Sequence, residues 1–349
     1  MRARAADGPY LPQLDGLRAL AALAVVFHHN LWRGGGLGGV RAAAHLGDAG
    51  VRLFFVLSGF LITGILVRAR GAPGALPAFY ARRFLRIFPL YYLVVIGVAL
   101  LGQPLMRSTL AWNLSYLANF KMALMGGFPG PPVSHLWTLS VEEQFYLAWP
   151  LVVLFSGRRS LFPLALSTLV VAPASRLVLL LLTGNAAAAA VVTTSCLDTL
   201  GAGAVLAIAG RVPKGVLPFG LGLLAAVTAL DGSWFDIAFR DTAYACTFAW
   251  VVQSGAEGVR GPAGRFLASA PVVYLGTISY GIYVYHHVLP ALVKLPGYGL
   301  ARTGLVLALT IPTAALSHRF FEAPINALKR RFPYARPRAD APTGKPVAA

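Results

Sequence analysis

The sequence predicts an all-α, polytopic membrane bundle of about ten transmembrane helices with both termini in the cytoplasm. Three observations carry that prediction. Hydrophobic residues make up 57% of the chain and charged residues only 12%, about half the charged share of an ordinary soluble domain. Apolar runs near twenty residues recur from end to end, and that length matches the hydrocarbon thickness of a bilayer. The basic residues, which give a net charge of +18, cluster in alternate connections.

Hydropathy places the spans at 14–33, 49–67, 87–102, 136–155, 161–182, 187–209, 215–230, 235–253, 272–293 and 300–317. With the N-terminus inside, the inner segments hold Arg2 and Arg4, then Arg68, Arg70, Arg82, Arg83 and Arg86. Arg158 and Arg159, Arg211 and Lys214, and Arg260 and Arg265 follow, and seven more basic residues lie from Arg319 onward. Each inner segment carries at least two, as the positive-inside rule requires. The same placement excludes nucleic acid as a partner, because the charges sit in short loops between apolar spans. The chain divides into a membrane domain, 1–325, and a basic cytoplasmic tail, 326–349, partly disordered beyond Tyr334. The connection 103–135 is expected to include a short interfacial or re-entrant helix around Leu110–Leu124. The first apolar stretch holds Arg18, His28 and His29 and does not read as a cleavable signal peptide. Cys196 and Cys246 lie inside apolar segments and suggest neither a disulfide framework nor a zinc site, so no metal is expected.

Function is sought where ionisable groups enter the membrane, since each costs several kcal/mol unless it faces a cavity or a partner. In the first span Asp15 and Arg18 are three residues apart and can pair. His29 lies eleven residues beyond Arg18 on the same helix face, roughly 16 Å along the axis; His28 points about 100° away. Ser58 and Gly59 read as close-packing residues. Arg83 and Arg86 sit at a membrane entry, where their guanidinium forks suit phosphate groups or lipid headgroups. The fourth span opens His135-Leu-Trp-Thr-Leu-Ser140-Val-Glu142-Glu143-Gln144-Phe-Tyr146. Two adjacent carboxylates there are hard to explain as packing, and at least one should face a polar cavity or a basic partner. Arg176 and Asp198 form a candidate buried ion pair. The ninth span carries Ser279-Tyr280 through His286 and His287, whose imidazoles either line the same cavity or meet the outer interface.

In this order the segments resemble the acyltransferase-3 family of integral membrane acyltransferases. The likeness rests on Leu14-Asp-Gly-Leu-Arg18 with His29, Phe54–Thr63, Arg83-x-x-Arg86 with Pro89, and Leu136 through Leu147. Asp198-Thr-Leu-Gly201, Ser279 through His286, and Phe321-Glu-Ala-Pro324 complete it. It covers about residues 10–325. The resemblance implies transfer of an acyl group, acetyl foremost, from acyl-CoA to a hydroxyl of a carbohydrate-containing acceptor at a bacterial inner membrane. It implies His29, Glu142 and Arg18 as catalytic residues and Arg83 and Arg86 as donor-binding residues. Asp15, His28, Ser140, Gln144, Tyr146, Asp198, Tyr280 and His286 stand as further cavity candidates. Relatives of this kind often carry an appended extracytoplasmic esterase-like domain. A chain that stops soon after the membrane core argues against a peptidoglycan role of that fused kind.

On this reading His29 takes the proton of the acceptor hydroxyl, or carries the acyl group transiently. Glu142 orients the imidazole or balances an arginine, and Arg18 lines the channel or stabilises the oxyanion. The competing class is a proton-coupled transporter or flippase, which also uses intramembrane Arg, His and Glu. The broken-helix pairs common in that class are not evident in the sequence.

Overall fold

The structure is a computed structural model that describes residues 10–31 and 45–334. It is all helical among those residues. Ten longer helices are used below: α1 (Pro12–Leu31), α2 (Leu46–Ala69), α3 (Ala75–Leu100), α4 (Trp137–Phe155), α5 (Arg158–Thr183), α6 (Leu197–Ala209), α7 (Val216–Ala229), α8 (Trp234–Glu257), α9 (Ser279–Leu292) and α10 (Leu300–Ser317). Among the described residues, four helices are long and apolar enough to cross a membrane by length and composition, against the ten spans expected: α2, α3, α5 and the run Leu300–Arg331 that contains α10. The protein is a membrane-embedded, multi-pass bundle.

Local chemistry sets the ends of these helices. Pro12 opens α1, where its missing N–H costs nothing. Ser233 caps α8 by accepting from the Asp236 amide at 3.2 Å. Gly184 and Gly210 end α5 and α6 in left-handed conformation (φ 62° and 77°). The outer surface is apolar: Leu100, Phe155, Val170, Leu181 and Leu182 are all exposed, an arrangement that suits lipid and not water.

The centre is a tight crossing of α2 on α6. A Cβ on Gly59 would lie 1.8 Å from the Leu200 carbonyl oxygen, and one on Gly203 would lie 2.0 Å from that of Val56. Only glycine permits this approach, which bears out Gly59 as a packing residue.

Two predicted spans are interrupted. The sixth becomes a short helix Ala186–Val191, an extended Val192 (φ −67°, ψ 139°), a 3-10 turn Thr193–Cys196 and then α6. The polar run Thr193, Thr194, Ser195 offers side-chain hydroxyls that compete with helix hydrogen bonds. The ninth breaks at Ile278, between Ala270–Thr277 and α9. The expected helix around Leu110–Leu124 is likewise two pieces, Leu110–Leu114 and Ala118–Met125, because Tyr116 between them has φ 54°. Its ring stacks on Tyr91 at a centroid distance of 4.3 Å, which holds this strained residue in place. After α10 the chain passes through a π turn, His318–Glu322, then Ala323–Ala327 and Leu328–Arg331, back against α3. The tail is therefore ordered at least to Tyr334, and 335–349 lies outside the described residues.

Candidate active site

Three adjacent chambers run through the bundle among α1, α2, α3, α4 and α9. At one end a vestibule of about 740 Å³ is walled by Asp15 and Arg18 of α1, Arg82 and Arg86 of α3, and His318, Glu322, Lys329 and Arg330 of the C-terminal turns. A narrower chamber of about 210 Å³ follows, lined by Arg18, Ser58, Arg83, Arg86, Glu142, Tyr146, Tyr280 and Tyr283 among apolar side chains. The third, about 520 Å³, holds His28, His29, Asp48, Ser134, His135, Thr138, Tyr283 and His287. Arg18, Leu61, Arg86 and Tyr280 line both the first and second chambers, and Val51, Thr138 and Tyr283 line both the second and third.

The i, i+4 spacing on α4 builds one wall: Thr138, Glu142 and Tyr146 fall on a single face. Glu142 accepts a hydrogen bond from Ser58 at 2.6 Å. Its neighbour Glu143 turns away into a fourth cavity with Arg83 and Gln144, as a 100° step requires. Arg83 lies with its guanidinium carbon 4.1 Å from the Tyr146 ring centre, a cation–π contact inside the bundle. Arg86 reaches the vestibule and Arg83 does not; the basic residues beside Arg86 there are Arg18, Arg82, Lys329 and Arg330. Arg18 pairs with Asp15, as the sequence spacing implies. Tyr280 donates to the Ile87 carbonyl at 2.8 Å and fixes α9 against α3.

The far chamber gathers histidines from three segments. His29 Nδ1 lies 2.9 Å from His286 Nε2, and the His29 and His287 ring centres are 4.0 Å apart. His286 Nδ1 lies 2.6 Å from the Tyr283 carbonyl oxygen. A carbonyl only accepts, so His286 Nδ1 carries the proton, and a neutral His286 accepts at Nε2. His29 Nδ1 must then be the donor, which leaves the lone pair of a neutral His29 on Nε2. The group that orients His29 is thus His286. The carboxylate of Glu142 is engaged by Ser58 instead.

Three predicted candidates sit elsewhere. Ser140 is buried and bonds back to the Leu136 carbonyl. Gln144 donates to the Tyr116 carbonyl at 2.8 Å and to Asn119 at 3.0 Å, tying the 103–135 connection to α4. Asp198 lies in a buried ion network: it meets Arg176 at 2.6 Å, while Asp241 meets Arg176 at 3.5 Å and Arg52 at 2.8 Å. That is the structural pairing the sequence suggests for Arg176 and Asp198, and no chamber named here is lined by Asp198.

Residues not singled out by sequence are Thr138, His135, Tyr283, Arg82, Lys329 and Arg330, while His287, given the choice of cavity or outer interface, lines the chamber. Thr138 lies one turn before Glu142 and Tyr283 one turn before His287, so helical spacing would have found these two. Arg82, Lys329 and Arg330 come from segments distant in sequence, and no local pattern joins them.

The family described as Acyltransferase domain matches residues 11–317. The putative peptidoglycan O-acetyltransferase YrhL of Bacillus subtilis is 30% identical to this chain. The peptidoglycan O-acetyltransferase OatA of Listeria monocytogenes is 29% identical. The O-acetyltransferase OatA of Staphylococcus aureus is 27% identical. The alignments cover 91% of this chain and 55%, 56% and 57% of those proteins, so the chain spans about half the length of the curated relatives it matches. No solved structure matches it.

Proposed function

Because this chain belongs to the acyltransferase-3 family of integral membrane acyltransferases, we propose that it moves an acyl group, acetyl foremost, from acyl-CoA to a hydroxyl of a carbohydrate-containing acceptor. The observation that carries the reading is the succession of three chambers from a basic vestibule to His29.

The anionic head of acyl-CoA binds in the vestibule, where Arg82, Arg86, Lys329 and Arg330 meet its phosphates. The pantetheine arm runs through the narrow chamber past Arg18, Glu142 and Tyr280, and delivers the thioester to the histidine chamber. There the acceptor hydroxyl attacks the thioester carbonyl as its proton passes to His29 Nε2. The C–S bond breaks, and the CoA thiolate recovers the proton from the imidazolium. General-base help of this kind contributes about 10²- to 10⁴-fold. Arg18 lies roughly 16 Å from His29 along α1 and so lines the passage and holds no reacting atom. Arg83, within the bundle against Tyr146, positions the wall that carries Glu142.

This chemistry needs the vestibule in the cytosol. The positive-inside count supports that, with ten spans, both termini inside, a membrane domain to residue 325 and a basic segment closing its inner face. The expectation against a peptidoglycan acceptor rested on where the chain ends. Two relatives are named for peptidoglycan, so peptidoglycan stands beside other surface glycans and glycosylated small molecules as acceptors to test.

A transporter is the second reading, favoured by the interruptions at Val192 and Ile278. The test is labelled acetyl-CoA with purified protein and a panel of glycan acceptors, comparing wild type with His29→Ala. Acceptor-dependent CoA release that falls at least 10²-fold in the variant, with an unchanged thermal melt, is the expected result. Release at the wild-type rate in His29→Ala would remove His29 from the mechanism. An absence of release with every acyl donor and acceptor would favour the transporter.

A further inference from the structure

We propose that His29, His286 and His287 form a binding site for a borderline transition-metal dication of the zinc and cobalt class. Each offers one ring nitrogen, and these three atoms lie within 4.8 Å of one another. His29 and His287 both line the 520 Å³ chamber, which provides an entry path.

The distances suit such an ion after a small contraction. Tetrahedral zinc with Zn–N bonds of about 2.0–2.1 Å holds its nitrogens about 3.3 Å apart. The His29–His286 pair, at 2.9 Å, need only open slightly, and the remaining separations, all within 4.8 Å, need to close toward that value.

The back sides of the rings are braced as metal-bound imidazoles are. His286 donates Nδ1–H to the Tyr283 carbonyl, and His287 Nδ1 is 3.3 Å from the Ser134 hydroxyl. His286 therefore presents Nε2 to the cluster, and a His287 that keeps its Ser134 contact binds through Nε2. An all-imidazole set selects zinc, cobalt, nickel or copper over magnesium and calcium, which need oxygen ligands. Three histidines leave a fourth position for water.

A second, independent observation lies beside the three. His135 is 2% exposed, with ring centres 5.0 and 5.1 Å from those of His286 and His287. Its Nε2 meets the Val284 carbonyl at 3.2 Å, so Nε2 is the donor and Nδ1 holds a lone pair. Among the described residues that buried Nδ1 has no hydrogen-bond partner, which is costly for a desolvated acceptor. A metal-bound water is the kind of donor it lacks.

Binding has a consequence that rests on the proposed transfer mechanism. The metal takes His29 Nδ1, so the ring proton moves to Nε2, the atom that serves as base. Metal and catalysis are mutually exclusive, and the site is inhibitory.

The test uses the full chain in detergent without a histidine tag. Co²⁺ is titrated and the visible ligand-field bands of four-coordinate cobalt are followed. One equivalent is expected to bind, to be displaced by Zn²⁺, and to be retained in His28→Ala. His287→Ala and His287→Gln should each weaken binding by at least about ten-fold, with thermal melts reporting that the variants are folded. No bands at stoichiometric cobalt, or equal binding in folded His287 variants, would overturn the site. A parallel assay adds Zn²⁺ to the transfer reaction. Inhibition at the stoichiometry of binding supports exclusivity, and full turnover with metal bound would overturn it. Metal binding without any turnover in metal-free protein would count against the transfer reading and leave the site standing.

Discussion

Two groups of charge flank α2, one enclosed and one lining open volume. On one side Arg52, Asp241, Arg176 and Asp198 form a closed network. Arg176 also donates to the Ala238 and Ser195 carbonyls and to the Thr242 hydroxyl, and Thr242 donates in turn to Asp198 at 2.7 Å. On the other side Arg18, Arg83, Arg86 and Glu142 line a passage. Each group leaves one buried guanidinium nitrogen without a hydrogen-bond partner among the described residues, Arg52 Nε in the first and Arg83 Nε in the second, and they differ in that only the second lines open volume. Buried charge is tolerated when its Coulomb attraction and hydrogen bonds offset desolvation. The first group meets that condition largely through its own ion pairs, with Arg52 Nε left over. The second faces an open passage, the condition of a surface that can take a polar ligand. Burial of charge alone does not mark a site; incomplete partnering beside open volume does.

The largest effect that would break this contrast lies in the closed network. Asp198→Ala leaves Arg176 without its closest carboxylate, and a loss of about 3–5 kcal/mol is expected. It should appear in thermal unfolding and in yield after extraction. Normal stability with lost transfer would instead make Asp198 part of a second functional site.

The next test sharpens the role of the open side. Lys329→Ala with Arg330→Ala should raise the KM for acyl-CoA about ten-fold, the equivalent of one charge-assisted hydrogen bond of about 1.4 kcal/mol, with kcat held. The deficit should shrink at high salt, where wild-type affinity falls as well. A drop in kcat with KM unchanged would place these residues outside donor binding.

The smallest effect concerns the wall between the second and third chambers. The Tyr283 hydroxyl meets Thr138 at 2.5 Å and the His135 carbonyl at 3.0 Å. Tyr283→Phe removes both bonds, and a stability loss of about 1 kcal/mol in the thermal melt is expected. A loss several times larger would mean that the hydroxyl organises the histidine chamber as a whole.

Much of the site was legible because membrane residence makes polar residues conspicuous. Asp15, Arg18, His29, Glu142 and His286 each stand out against an apolar background, and four of the five line or border the chambers. Helical spacing also paired Asp15 with Arg18, and the family likeness selected Glu142 over Glu143. Ser140 and Gln144 shared the same sequence neighbourhood and were not separable from it. Ser140 bonds back to the Leu136 carbonyl one turn earlier, and Gln144 reaches the Tyr116 carbonyl of the 103–135 connection.

The sequence by itself determined the helical class, the membrane setting, the family likeness and the Arg176–Asp198 pair. These follow from hydropathy, local spacing and residue chemistry, which act over a few turns of chain. Only the tertiary structure decided that His286 fixes the tautomer of His29, across 257 residues. It alone brought Arg82 beside Lys329 and Arg330, sent Arg83 inward to Tyr146, and set His287 against His29. Such meetings are fixed by how helices cross, and the crossing of α2 on α6 through Gly59 and Gly203 is one that side-chain pattern in a single helix does not encode.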